Sequence, residues 1–114
     1  MDLTQRQEPL PEAVLSGFLE PDERLHVSTR SRDAVLAVTD RRLIVADENR
    51  LALEVAIDGI RRIQFDIERS RPATFTIVPE DPADEPQVLA IEPTEYAQAA
   101  QALTVVGRRL AGLA

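Results

Sequence analysis

The 114-residue sequence predicts an α+β domain: seven strands in an antiparallel sheet system, closed by one long C-terminal helix and preceded by a short N-terminal one. Three observations carry this. From Glu23 to Glu92 apolar residues recur at every second position in short runs, the period of a strand with one face in a core. The runs are separated by polar turns, too short for the helical crossovers that parallel strands need. After Pro93 the spacing changes to that of a helix. Strands in succession followed by a helix are the order of an antiparallel arrangement.

Taken along the chain, residues 1–10 are polar and expected to be flexible, and residues 11–114 form one domain. Pro11 suits a helix's first turn, and Val14, Leu15, Phe18 and Leu19 form an apolar stripe, so a short helix is expected from Pro11 to Leu19. Leu25, Val27 and Thr29 alternate with Arg24, His26 and Ser28 in a half-buried first strand. "AVLAVT" (Ala34 to Thr39) is apolar throughout and is expected to be covered on both faces. "DRR" turns the chain and "LIVA" runs back; Asp40, with its short carboxylate, is the expected cap of that turn, and Arg42 is expected to lie along the sheet or pair with an acid. Leu51, Leu53, Val55 and Ile57 form a fourth strand, which "DG" at Asp58-Gly59 breaks. Ile63, Phe65 and Ile67 continue as a fifth, Phe75 and Ile77 mark a sixth, and "QVLAIE" a seventh. "PEDPADEP" (Pro79 to Pro86) reads as an exposed loop.

In the last element Tyr96, Ala100, Leu103, Gly107 and Leu110 recur at helical spacing. Leu103 and Leu110 are expected to bury against Phe65 or its neighbours, and Gly107 to mark a close approach to a sheet. Val105, off that stripe, and Leu113 are candidates for a face that meets another chain.

Composition narrows function mainly by exclusion. The chain has no cysteine, which removes disulfides, thiolate nucleophiles and thiolate metal sites. Its net charge is −7, from 20 acids and 13 bases, every base an arginine. Such a chain repels phosphate backbones and anionic lipid, so nucleic acid and anionic membrane are disfavoured partners. No apolar run approaches the ~20 residues that span a bilayer, and "MDLTQRQEPLPEAV" lacks a signal-peptide core, so a cytoplasmic location is expected.

"EPDERL" (Glu20 to Leu25), followed about a dozen residues later by "VTDRRLIV" (Val38 to Val45), resembles the bacterial pleckstrin-homology (PH) domain families, which carry a Thr-Asp-Arg-Arg-Leu hairpin between strands two and three. The likeness extends over roughly Pro21 to Ala111. Asp22 stands where such proteins often have Gly, and "DENR" replaces a Gly-rich turn. The resemblance implies a seven-stranded, partly open barrel of two packed sheets, capped by the C-terminal helix. It also implies a non-enzymatic module that binds protein partners or self-assembles, the alternative being a small-ligand or lipid-headgroup binder at the barrel's open rim; fold alone does not choose.

In that fold the rim is made by the first, third and sixth inter-strand loops, here "RSRD", "DENR" and "PEDPADEP". The candidate binding residues are Arg30, Arg32, Asp47, Glu48, Arg50, Glu80, Asp81, Asp84 and Glu85; with Asp33, three positive charges face seven negative ones. Phosphoinositide binding is therefore not expected, and a cationic or Arg-rich partner suits the rim better.

No catalytic constellation emerges. His26 is the only histidine and lacks converging partners. The acids of Glu80 to Glu85 lack the glycine and alternating ligands of a calcium loop. Four scattered glycines make no phosphate loop. Neither a metal nor a cofactor is expected. The arginine pairs Arg30/Arg32, Arg61/Arg62 and Arg69/Arg71 have no interleaved aromatics for nucleic acid.

Overall fold

A computed structural model describes Leu15, residues 17–47 and residues 50–113 of the chain. Seven strands form two antiparallel sheets. The first contains β1 (Leu25–Arg30), β2 (Val35–Thr39), β3 (Arg42–Ala46) and β4 (Leu51–Ala56), in that order; the second contains β5 (Ile60–Asp66), β6 (Ala73–Pro79) and β7 (Gln87–Ile91). A 3₁₀ turn, Ile57–Gly59, joins the sheets, and a second, Pro93–Glu95, leads into the helix α1 (Tyr96–Leu110). The sheets do not hydrogen-bond to each other, so the barrel is open, and α1 packs across β1 and β5. The order of elements is the predicted one.

The period-two pattern does what it implies. Leu36, Val38, Leu43, Val45 and Leu53 of the first sheet face Phe75, Ile77, Leu89 and Ile91 of the second in one core. Each such side chain, fully buried, contributes about 1.5–3 kcal/mol relative to exposure. The opposite phase of β2 and β3 is buried as well: Val35, Ala37, Ile44 and Ala46 pack beneath Leu15, with Phe18, Leu19 and Leu51 around them. That second layer is why "AVLAVT" and "LIVA" have no polar alternation. Most of the expected helix from Pro11 to Leu19 lies outside the described residues; Leu15 is helical, and its carbonyl accepts the N–H groups of Phe18 and Leu19.

Several boundaries move. Pro79 is the buried last residue of β6 rather than loop, a place where its missing N–H ends the ladder. Ile67 lies beyond β5 and is exposed. Single-residue irregularities shift the register of β1 between Leu25 and Val27, and of β5 between Ile60 and Arg62.

The buried stripe of α1 is Ala99, Ala102 and Val106, not the stripe through Ala100, Gly107 and Leu110. Two alanines let the helix lie close, which bulkier residues there would prevent. Leu103 and Val105 flank it, half-buried against the core, while Ala100 and Leu110 are exposed. Nothing lies within 4 Å of a Cβ built at Gly107, so no close approach explains that glycine. Tyr96 meets the ring of Phe65 edge-on at 5.6 Å, tying the helix to β5.

The turn between β2 and β3 also differs from expectation. Its cap is Thr39: the hydroxyl accepts the N–H groups of Arg41 and Arg42, both at 3.0 Å, and donates to Glu23 Oε2 at 2.7 Å. The Asp40 carboxylate instead accepts the N–H of Arg24 across the sheet at 3.0 Å. Thr39→Val is thus expected to cost about 1–3 kcal/mol, because it strands buried polar partners. Asp40→Ala should cost less, since its bond is exposed. Paired urea titrations check the order; a larger loss for Asp40→Ala would refute it.

Candidate functional site

Five of the predicted rim residues line two separate concavities, Arg30 and Arg32 one and Arg50, Asp84 and Glu85 the other, whereas Asp47, Glu80 and Asp81 line neither. The β1–β2 loop supplies Arg30, Ser31 and Arg32 to a recess of ≈ 240 Å³, completed by Glu92, Thr94 and Glu95 at the start of the helical segment. Glu95 Oε1 accepts the Thr29 hydroxyl at 3.1 Å and the Arg30 N–H at 3.0 Å, joining the end of β1 to the entrance of α1. Arg32 pairs with Glu92 at 3.7 Å, both well exposed. The Ser31 hydroxyl and backbone are turned onto Ala34. The cationic loop therefore meets carboxylates.

The second concavity, ≈ 350 Å³, lies between β4 and the β6–β7 loop. Arg50 and Leu51 to Glu54 form one wall; Ala83, Asp84, Glu85 and Gln87 form the other. The turn before β4 is closed by the Asp47 carboxylate, which accepts the Arg50 N–H at 2.8 Å, and by the Asp47 N–H on the Arg50 carbonyl at 2.9 Å. Glu48 lies outside the described residues. The opposite wall is held by local bonds. Glu80 N–H reaches the Gly59 carbonyl at 2.8 Å, and Asp81 Oδ1 accepts the Ala83 N–H at 2.9 Å. Glu80, Asp81 and Glu85 are exposed and Asp84 half-exposed, and none of the four forms an ion pair among the described residues. Arg50 thus joins Asp84 and Glu85, whereas Arg30 and Arg32 lie apart with Glu92 and Glu95.

No family model matches the sequence, and no curated protein matches it. Among solved structures, the chain is similar to a pleckstrin homology domain from Shewanella amazonensis SB2B determined at 1.99 Å resolution, with a TM-score of 0.60. The match covers 87% of this chain and 94% of that one at 16% identity. The chain has the PH-like fold. At this identity the likeness is one of fold, and the features particular to this PH-like domain rest on its own residues.

One such feature is a charged cluster beside the β2–β3 turn. Arg42 gives Nε and Nη2 to the two carboxylate oxygens of Glu23, each at 2.7 Å. Nη2 also reaches the Phe18 carbonyl at 2.7 Å, and Nη1 bonds Glu54. The Glu23 side chain is 0% exposed and that of Arg42 13%. The guanidinium holds the Glu23 carboxyl down to about 2 against the opposing effect of burial, and Arg42 is pushed above its ordinary value. On the surface nearby, Arg41 lowers Asp22 through a 2.9 Å pair. The expectation that Arg42 pairs with an acid is met. Glu23 escaped the sequence reading: it precedes β1, and the exposed Leu25 and the register shift between Leu25 and Val27 break the alternation that would have marked it as inward. Each guanidinium nitrogen of Arg42 has a partner, so the cluster locks the segment before β1 onto the sheet.

The other candidates stay dispersed. His26 is exposed beside Val105, Arg108 and Arg109, around a shallow recess of ≈ 190 Å³. Arg61 and Arg62 are exposed on β5, and Arg71 pairs with Glu68 at 3.5 Å. Among the described residues no three of His, Cys, Asp or Glu are placed to hold a metal ion, and no helix is long and apolar enough to cross a membrane.

Proposed function

We propose that this PH-like domain is a non-enzymatic protein-interaction module whose acidic groove, between β4 and the β6–β7 loop, receives a cationic protein segment. One observation supports this above the rest: Asp84 and Glu85 face an edge strand across an open groove, and among the described residues neither forms an ion pair, not even with Arg50 on the opposite wall. Among the described strands β4 hydrogen-bonds only to β3. An edge strand aims alternate N–H and C=O groups outward, where an extended segment can pair with them. Arginines on that segment would meet the carboxylates opposite. An anionic headgroup would meet repulsion instead, and in the other recess Arg32 is already engaged by Glu92.

The test is binding of a fluorescein-labelled oligoarginine peptide, followed by anisotropy at low and at physiological salt. Binding is expected, falling as salt rises. Asp84→Asn combined with Glu85→Gln should weaken it about fivefold, as exposed pairs of modest individual strength do. Co-sedimentation with phosphoinositide vesicles at low salt should give no more pelleting than neutral vesicles. Pelleting confined to the anionic vesicles would overturn the reading in favour of a headgroup site.

A further inference from the structure

Val105, Arg108 and Arg109, spaced i, i+3 and i+4 along α1, share one face of the helix, and they close the hollow of ≈ 190 Å³ against His26 of β1. Three other concavities set their arginines among acids. Glu92 and Glu95 line the recess of Arg30 and Arg32; Glu54, Asp84 and Glu85 line that of Arg50; Asp66 and Glu68 line that of Arg71. No carboxylate lines the hollow at His26. Neither arginine there, nor the imidazole, forms an ion pair among the described residues. In a chain of net −7 this is a local reversal of the field.

The two guanidiniums are held, but by neutral acceptors. Arg109, half-buried, gives Nη1 to the Asp40 carbonyl at 3.1 Å, and Arg108 reaches the Leu113 carbonyl with Nη2 at a long 3.4 Å. The Asp40 carboxylate is engaged elsewhere, by the Arg24 N–H at 3.0 Å. A backbone carbonyl directs a guanidinium without cancelling its charge. The helix end behind them is closed: the Leu113 N–H bonds the Arg108 carbonyl at 2.7 Å, the Gly112 N–H bonds that of Arg109 at 3.1 Å, and Gly112 sits at φ +77°. Arginines complement a helix's negative end wherever they point. That role does not require them to converge on an imidazole from another element.

We infer that this recess binds a carboxylate: the guanidiniums of Arg108 and Arg109 and the imidazole of His26 donate to its oxygens, and the apolar body that bears it lies on Val105. A guanidinium presents paired N–H donors in the geometry of a carboxylate's two oxygens. An imidazole keeps one N–H donor even when neutral. Two features select a carboxylate over a phosphate. The carbonyls of the last helical turn set a negative potential beside the site, which weighs more on a doubly charged anion. Val105 offers contact only to a ligand with an apolar part. A free small acid and an acidic side chain of a protein share this chemistry. The recess has no lining residue in common with the acidic groove, so it stands or falls apart from the function proposed above.

Titration of the isotope-labelled full chain with sodium butyrate, followed by backbone-amide and arginine side-chain NMR signals, tests this. Sodium chloride keeps the ionic strength constant, so screening alone produces no change. Saturable shifts centred on His26, Val105, Arg108 and Arg109 are expected. An acetylated leucyl-glutamate amide, run the same way, separates the sources: tighter binding of the dipeptide assigns an acidic protein side chain, and equal or tighter binding of butyrate assigns a free acid. Arg108→Gln should weaken binding about fivefold and His26→Thr about threefold, the size that single exposed polar contacts carry. Both side chains are exposed, so circular dichroism melts of the variants should match the wild type. Asp84→Asn with Glu85→Gln, in the acidic groove, should leave the titration unchanged. Absence of saturable shifts overturns the inference, as do shifts that persist undiminished in both Arg108→Gln and His26→Thr. Inorganic phosphate binding there more tightly than butyrate overturns the choice of a carboxylate.

Discussion

Arg42→Met is expected to lower the free energy of unfolding by about 3–5 kcal/mol, read from urea denaturation. The substitution keeps an unbranched apolar stem and removes the guanidinium. Glu23 is then a carboxylate with no exposed surface and no cation. Its remaining partners, the Thr39 hydroxyl and the Glu20 N–H, are neutral donors. The same pair sets a pH dependence. Glu23 falls from an ordinary 4.5 to about 2 in the folded chain. Its contribution is therefore fully present above about pH 4.5 and is lost as pH falls toward 2, a change of about 3 kcal/mol. Stability of the wild type should drop through that window, and Glu23→Gln should flatten the drop. The double variant Glu23→Gln with Arg42→Met should recover part of the loss, because no charge is then stranded. An Arg42→Met protein within about 1 kcal/mol of wild type would show that the cluster is incidental.

Phe75→Ala should be comparably severe, about 3–5 kcal/mol. Phe75 is wholly buried at the middle of β6, directly opposite Phe65 on β5 and Leu89 on β7. Its ring lies 5.9 Å from that of Phe65, which in turn receives the edge of Tyr96. Removing the ring leaves a cavity between the sheets and takes away the support beneath the ring that anchors α1. Thermal denaturation measures the total, and Tyr96 fluorescence reports whether the helix end loosens with it. A loss no greater than that of an exposed residue such as Val88→Ala would contradict the two-sheet core.

Strand order was legible because it depends on period and turns, and both are local. The both-faced burial of β2 was legible for the same reason: six apolar or small residues in a row leave no solvent face, and β3 shares that burial though it was expected only to run back. The helix was harder. In "YAQAAQALTVVGRRL" alanines stand on every side, so a stripe through Ala100 and Gly107 fits helical spacing as well as one through Ala99, Ala102 and Val106. Shape decides between them, through how closely the helix must lie on β1 and β5, and no single position encodes that. The cap at the opening of β3 was misassigned to Asp40 for a related reason. Thr and Asp both accept turn N–H groups, and the donor role that favours Thr39 depends on Glu23, 16 positions away. Of the candidate rim, the residue types and their sign were readable. Their division into two recesses depends on the angle between the sheets, which brings Glu92 and Glu95 to Arg32 and leaves Arg50 with Asp84 and Glu85.

In both sheets every strand pairs with its neighbour in sequence. The ladders can therefore zip by closing short loops, each at small entropic cost. Seating α1 on β1 is different: Glu95 meets Thr29 across 66 positions and Arg109 meets Asp40 across 69. Closing a loop of that size costs about 2.5 kcal/mol more than closing a four-residue turn. The backbone ladders do not need that closure; the helix does. The domain thus has one expensive seam, between α1 and β1, fastened at one end by Glu95 and at the other by Arg109. Opening along it would leave both sheets hydrogen-bonded while freeing the end of the chain that carries Arg108 and Leu113.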